Sequence, residues 1–203
     1  MKRFDEILFG LVIGLIFPIM IGLLSVLIWF YTDRQETHAP IYALIGLSSG
    51  LLLDLMFLKR WINNRYVLPI WFVVGIYILY NICIYGFFMG LPVFNTFLGL
   101  LAGYYFGKRI CFNKVESETH TKLINQVSIF AGLIMTFVCI SSGFLAIYDN
   151  GAAGMIQNVL GLSFEVTSSM LWGIVLIGGF ILISINVLLT RFTMIKTIKN
   201  YAR

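Results

Sequence analysis

Long apolar stretches, separated by short charged clusters, dominate this sequence of 203 residues. Crossing the hydrocarbon core of a bilayer takes about 20 helical residues, and six of the stretches reach or approach that length. They run over residues 7–30, 39–58, 67–90, 91–107, 125–147 and 166–190. The pattern therefore predicts an all-α integral membrane protein with six transmembrane helices in one membrane domain, residues 1–203.

Composition and charge exclude other classes of protein. Hydrophobic residues make up 60% of the chain and charged residues 11%, whereas soluble domains average about 45–50% and about 25%. The formal net charge of +5 does not indicate a nucleic-acid partner, because the basic residues flank apolar stretches instead of sharing one solvated surface. The partner that the composition indicates is the lipid bilayer.

The positions of the basic residues predict the orientation of the chain. Thirteen of the fourteen lysines and arginines fall at the two ends and in the second and fourth loops, and only Arg34 falls elsewhere. Because cytoplasmic loops retain Lys and Arg during insertion, we expect both termini in the cytoplasm of a plasma (inner) membrane, as in a prokaryote. The first stretch is too long for a signal peptide and lacks a small-residue cleavage site, which indicates a retained helix.

Two segments leave alternatives open. The fourth span, 91–107, is short and follows Gly90-Leu91-Pro92 almost without a loop, so a re-entrant hairpin is the alternative to a crossing helix. A re-entrant hairpin would place the basic residues after Gly107 outside, against the charge pattern. The outer segment 148–165 contains an apolar run too short to cross the bilayer. It is expected to form either an interfacial helix or a lid over an outward-facing cavity.

Glycines recur at every fourth position in three of the spans. This spacing places them on one helical face, where another backbone can approach closely. The packing glycines are Gly10, Gly14, Gly46, Gly50, Gly99, Gly103 and Gly107. They favour a compact glycine-packed bundle, or a surface that docks a partner subunit.

Four polar residues inside the spans are candidates for ligand binding: Asp54, Tyr77, Asn81 and Asn95. A carboxylate facing lipid is costly, so Asp54 is expected to point into the bundle or to reach the interface and pair with Lys59 or Arg60. Tyr77 and Asn81 share one face of the third span, and Asn95 begins the glycine face of the fourth. These amides and the phenol can bond a neighbouring helix or a ligand.

The sequence contains no recognised motif for catalysis or metal binding. The two histidines, His38 and His120, fall in opposite loops, and the three cysteines form no CxxC pair. The sequence therefore predicts no catalytic residue and no metal site, and it names no cofactor. An enzyme is the least favoured class.

Two short stretches resemble the substrate-binding S-components of energy-coupling-factor vitamin transporters. Residues 46–55, Gly-Leu-Ser-Ser-Gly-Leu-Leu-Leu-Asp-Leu, are similar to a glycine-rich helix that ends in Asp-Leu. Residues 92–94, Pro-Val-Phe, followed by 101–107, Leu-Ala-Gly-Tyr-Tyr-Phe-Gly, are similar to a Pro-x-Phe entry into an Ala-Gly helix. The resemblance implies a compact six-helix transport component and assigns no ligand-binding residue.

Two functions therefore follow as expectations. The first is a small membrane transport component that binds a small solute or ion at an interior polar site built from Asp54, Tyr77, Asn81 and Asn95. The second is a non-catalytic assembly subunit that docks other proteins through its glycine faces. A ligand-filled cavity would indicate the first function, and an exposed glycine surface the second.

Overall fold

The computed structural model describes residues 2–32, 35–88, 90–148, 157 and 167–201. The helices are α1 Lys2–Gly14, α2 Ile16–Thr32, α3 Ala39–Asn63, α4 Ile70–Phe87, α5 Thr96–Phe112, α6 Ser117–Tyr148 and α7 Ser168–Tyr201. Short 3-10 helices, Glu36–His38 and Pro92–Asn95, lead into α3 and α5. Over these residues the fold is all-helical and contains no strand, which confirms the predicted class.

Among the described residues, five helices are long and apolar enough to cross a membrane, which is compatible with a membrane location. They cover Asp5–Thr32, Ala39–Asn63, Ile70–Phe87, Ser117–Tyr148 and Ser169–Tyr201. The predicted fourth span corresponds to α5, which has 17 residues and does not belong to the five. The predicted outer segment 148–165 lies outside the described residues, except for Tyr148 at the end of α6 and Gln157.

The first apolar span is a helical segment that is interrupted at Leu15, between the end of α1 and the start of α2. Pro18 causes the break, because a proline has no N–H to donate to the carbonyl four residues earlier and its ring crowds that carbonyl. Regular bonding resumes at once, since the Ile19 N–H donates to the Leu15 carbonyl at 3.1 Å. Pro18 therefore leaves the carbonyl of Gly14 without the N–H donor that a continuous helix would supply.

The described residues form two compact units, Met1–Ile70 and Trp71–Arg203. In the first unit, α2 packs along α3 through close backbone contact. A Cβ added at Gly50 would lie 2.5 Å from Cα of Pro18, and one at Gly46 would lie 2.8 Å from the Ile21 carbonyl oxygen. At these two positions only glycine lets the helices approach this closely.

In the second unit, α5 and α6 both pack on α7. A Cβ at Gly107 would lie 2.8 Å from Cβ of Thr197, and one at Gly103 would collide with the Thr190 carbonyl oxygen. In the packing of α6 on α7, a Cβ at Gly132 or Gly143 of α6 would lie 2.6 Å from a valine methyl group of α7. An apolar core of Ile110, Ile124, Met194 and Ile198 joins the ends of these three helices.

The second unit buries polar side chains and exposes apolar ones. Asn95, Asn186 and Thr190 are fully buried, while Phe137 and Phe180 are 70% and 72% exposed. A soluble domain shows the opposite distribution, because water drives apolar side chains inward. The arrangement suits a protein whose surroundings are lipid.

A tight turn joins α4 to the 3-10 helix before α5. Gly90 adopts a positive φ of 82°, and its N–H donates to the Tyr85 carbonyl at 2.8 Å. This conformation favours glycine, because a Cβ would be strained there. Ser142 of α6 donates a hydrogen bond to the Gly90 carbonyl at 2.7 Å, so α6 holds the turn in place.

The glycine contacts predict a selective loss of stability. We expect Gly50→Ala to lower the free energy of unfolding by roughly 1–3 kcal/mol, because the methyl group forces the α3 backbone away from Pro18. The matched control is Gly75→Ala in α4, where an added Cβ meets nothing within 4 Å, so its effect should stay within about 0.5 kcal/mol. Denaturation of the purified protein in mixed micelles measures both; equal losses would contradict the assignment.

Candidate functional site

Three asparagines from three segments form the most buried polar cluster that the described residues contain. Asn81 lies in α4, Asn95 ends the 3-10 helix before α5, and Asn186 lies in α7. Asn81 is 2% exposed, and Asn95 and Asn186 are 0% exposed. Asn81 and Asn95 come to one level because only a short turn separates α4 from the 3-10 helix that ends at Asn95 and leads into α5.

The amides form a connected network of hydrogen bonds. Asn95 Nδ2 donates to the Asn81 carbonyl at 2.8 Å and to Asn81 Oδ1 at 3.1 Å. Asn81 Nδ2 donates to the Tyr77 carbonyl at 2.9 Å. Asn186 Nδ2 makes a long bond of 3.5 Å to the Asn95 carbonyl. The cluster therefore ties α4, the start of α5 and α7 together inside the second unit.

Several acceptor atoms of this cluster have no partner among the described residues. They are Asn95 Oδ1, Asn186 Oδ1 and the hydroxyl of Tyr77. The Tyr77 hydroxyl faces the side chains of Asn81 and Asn186 without reaching ordinary hydrogen-bond geometry. Rotating the Asn95 amide would not help, because its oxygen would then face the Asn81 carbonyl, another acceptor. Since buried polar atoms are normally paired, these three lack a partner that such atoms usually have.

Gly99 allows α7 to reach this cluster. A Cβ at Gly99 would lie 2.7 Å from Thr190 Oγ1 and 3.1 Å from Asn186 Nδ2. The Thr190 hydroxyl donates back to the Asn186 carbonyl at 2.8 Å, so it is satisfied within α7. Any larger residue at position 99 would push Asn186 away from Asn95.

Ser128 of α6 is a further buried polar residue of the second unit. Its hydroxyl is buried and has no partner among the described residues. Gly132 of α6 contacts Val187 of α7 in an antiparallel arrangement, so Ser128, one turn earlier, lies at the height of Thr190. Its height therefore differs from that of Asn186 by about one turn of α7.

Asp54 belongs to the first unit and is described there by itself. It is 4% exposed, and its Oδ1 has no hydrogen-bond partner among the described residues. Its Oδ2 lies 3.0 Å from the position of a Cβ at Gly14, beside the break between α1 and α2. Lys59 and Arg60, the alternative partners expected at the interface, are exposed.

The structure brings together three of the four residues that the sequence singles out: Tyr77, Asn81 and Asn95. That Asp54 shares this site stays a prediction, because Asp54 lies in the other unit. Sequence reasoning missed Asn186 and Ser128. An amide in the middle of an apolar span was the signal that selected Asn81, and the same signal was present at Asn186.

The amide network predicts a coupling free energy between two of its members. In a double-mutant cycle of Asn81→Ala and Asn95→Ala, we expect a coupling of about 0.6–1.7 kcal/mol, the range typical of interhelical bonds in lipid. The control cycle pairs Asn95→Ala with Thr119→Ala, an exposed site at the start of α6, and should be additive within about 0.5 kcal/mol. Coupling no larger than in the control would show that the bond is not formed.

Comparison with known proteins adds no relative at this point. No protein-family model, no curated protein and no solved structure matches the chain. The resemblance to S-components of energy-coupling-factor transporters stays a prediction, and the function is argued from the site alone.

Proposed function

We propose that this protein is a small multi-span membrane transport component whose interior polar site binds a small solute or ion. The site consists of Tyr77, Asn81, Asn95 and Asn186. The observation that carries the proposal is the set of buried acceptor atoms without a partner: Asn95 Oδ1, Asn186 Oδ1 and the Tyr77 hydroxyl. Asparagines that served only to join helices would be expected to give each of these oxygens an N–H or O–H donor from within the cluster, since lipid offers no other donor.

The chemistry of the free atoms indicates the class of ligand. Two amide oxygens and a phenol oxygen accept hydrogen bonds or coordinate a cation. The cluster itself contains no ionised side chain, so it does not supply the charge that an anion would need. The ligand that fits best is a small solute carrying N–H or O–H donors, or a cation.

The topology that we propose has six spans, with both termini in the cytoplasm of the plasma membrane. The finding that supports a crossing by α5 is its length taken together with the preceding 3-10 helix. Seventeen α-helical residues rise about 26 Å, and the four 3-10 residues add about 8 Å. Together they match the ~30 Å hydrocarbon core. In this topology segment 148–165 lies outside, where it would act as a lid or an interfacial helix.

The alternative, an assembly subunit, loses part of its support. The glycines on which it was based are in contact with the protein's own helices: Gly46 and Gly50 with α2, and Gly99, Gly103 and Gly107 with α7. Other glycines, Gly75 and Gly86 of α4, would meet nothing within 4 Å if they carried a Cβ. They are the observation that keeps a partner subunit as the second candidate. Co-purification of a stoichiometric protein without any bound solute would favour it.

Removing the Tyr77 hydroxyl tests the binding site. We expect Tyr77→Phe to lower the free energy of unfolding by no more than about 1 kcal/mol, because the hydroxyl faces Asn81 and Asn186 but has no partner in ordinary hydrogen-bond geometry among the described residues. Loss of one bond to the solute, about 0.5–1.5 kcal/mol, should weaken binding about 2- to 12-fold. Mass spectrometry of solutes that co-purify in mild detergent identifies the ligand, and titration then gives Kd for the wild type and the variant.

The matched control for this experiment is Tyr85→Phe. Tyr85 lies two turns further along α4, its hydroxyl is also unpartnered, and it faces Gly90 instead of the asparagines. Its removal should leave both stability and Kd unchanged. An equal effect of the two variants, or no bound solute at all, would count against the proposed site.

Cysteine labelling tests the proposed topology. On a background with Cys83, Cys111 and Cys139 replaced by Ala, Asn113→Cys after α5 should react with an impermeant maleimide only after the cells are permeabilised. Gln35→Cys, in the first loop, should react in intact cells. Both positions are exposed. Labelling of Asn113→Cys in intact cells would instead indicate a re-entrant α5.

A further inference from the structure

Asp54 is a buried acid whose surroundings do not neutralise it. The side chain is 4% exposed, and Oδ1 has no hydrogen-bond partner among the described residues. An ionised carboxylate is costly inside a membrane protein unless a proton or a cation compensates its charge. The burial of Asp54 therefore indicates a compensating proton or cation that the protein's own side chains do not supply.

Pro18 frees a second acceptor on Gly14, the residue that this carboxylate approaches. Proline has no N–H, so the carbonyl of Gly14, four residues earlier, lacks the donor that a continuous helix would give it. Asp54 Oδ2 lies 3.0 Å from where a Cβ of Gly14 would be. The Asp54 carboxylate thus faces Gly14, the residue whose carbonyl lacks its helical N–H donor because of Pro18.

The packing of α3 on the break fixes this alignment. Gly50 rests on Pro18, with an added Cβ only 2.6 Å from the Pro18 nitrogen. Asp54 follows Gly50 by one helical turn, and Gly14 precedes Pro18 by one turn, so the antiparallel helices place these two residues at one level. Broken helices whose unwound carbonyls coordinate ions are a recurring device in transporters.

We propose that the Asp54 carboxylate and the Gly14 carbonyl bind one monovalent cation, either a proton or Na⁺. Both groups accept hydrogen bonds and neither donates, so a single positive charge placed between them satisfies both. A proton would convert the carboxylate into a carboxyl that donates to the carbonyl, and Na⁺ would be coordinated by their oxygens. The site stands independently of the asparagine cluster and of the solute proposed there.

Other charged groups lie far from this position along the helices that pack on α3. The residues of α1 that carry a charge all precede Ile7, about two turns or more before Gly14, and α2 contains none. Glu36 and His38 precede the start of α3, more than four turns before Asp54. On α3 itself the nearest are Lys59 and Arg60, which are exposed. Asp54 therefore dominates the local response to pH or sodium.

Thermal unfolding of the purified protein tests the site. The transition is followed from pH 5.5 to 8.5, with NaCl exchanged for choline chloride at constant ionic strength. If the cation is Na⁺, the wild-type Tm should rise by about 5–10 °C at a hundredfold excess over Kd. If it is a proton, Tm should rise toward low pH without a sodium effect, and the infrared spectrum should show the C=O stretch of a protonated carboxyl.

Two variants assign the response to the site. Asp54→Asn should abolish whichever dependence the wild type shows. Pro18→Ala keeps the backbone contact with Gly50 but returns an N–H donor to the Gly14 carbonyl, so it should weaken the dependence at least severalfold while the protein stays folded. The controls are Glu118→Gln, an exposed acid in α6, and Pro40→Ala, at the first turn of α3.

Three outcomes would overturn the proposal. They are a wild type that responds to neither pH nor sodium, an Asp54→Asn variant with an unchanged response, and a Pro18→Ala variant with an unchanged response. If Asp54→Asn fails to fold, Pro18→Ala alone decides. Solute binding at the asparagines is measured separately, so either proposal can fail without the other.

Discussion

Close contact between the backbones of α5 and α7 is the interaction on which the second unit depends. Gly103 lies against the Thr190 carbonyl, and Gly99 and Gly107 continue the contact one turn to either side. In lipid the hydrophobic effect does not drive helices together, so their association depends on dispersion contacts at short range. Without side chains at these positions α5 reaches α7, and only then does Asn95 come within reach of Asn186.

Close backbone contact at a glycine also holds the first unit together, but there it brings different polar groups near one another. Gly50 brings α3 onto the backbone of Pro18, at the place where the first span is broken. In the second unit the close approach aligns two amides, which can bond to each other. In the first it brings the Asp54 carboxylate against Gly14, whose carbonyl cannot donate a hydrogen bond to it, because both groups are acceptors.

Much of the fold could be predicted from the sequence, because hydropathy and glycine spacing report on single helices. The structure extends α6 back to Ser117 and α7 on to Tyr201, beyond the predicted spans 125–147 and 166–190. Hydropathy measures the portion of a helix that suits lipid, whereas helical hydrogen bonding continues into polar residues. The break at Leu15 follows from Pro18, which was visible in the sequence.

The site was less predictable, because it depends on which helices meet. Tyr77, Asn81 and Asn95 were found since each interrupts an apolar pattern, but the same pattern at Asn186 gained weight only from its contact with Asn95. No periodicity could reveal that Oδ1 of Asn95 is left without a donor, or that Asp54 lies opposite Gly14. Those facts depend on distances between helices.

The unpaired acceptors are what distinguishes the proposed binding site from a network that only joins helices. An amide network that only held helices together would be most stable with every oxygen bonded, and an apolar pair would serve as well. Keeping Asn95 Oδ1, Asn186 Oδ1 and the Tyr77 hydroxyl unbonded costs stability in a medium without water. A solute that donates to these atoms would return that stability on binding, which is the physical basis of the proposed binding site.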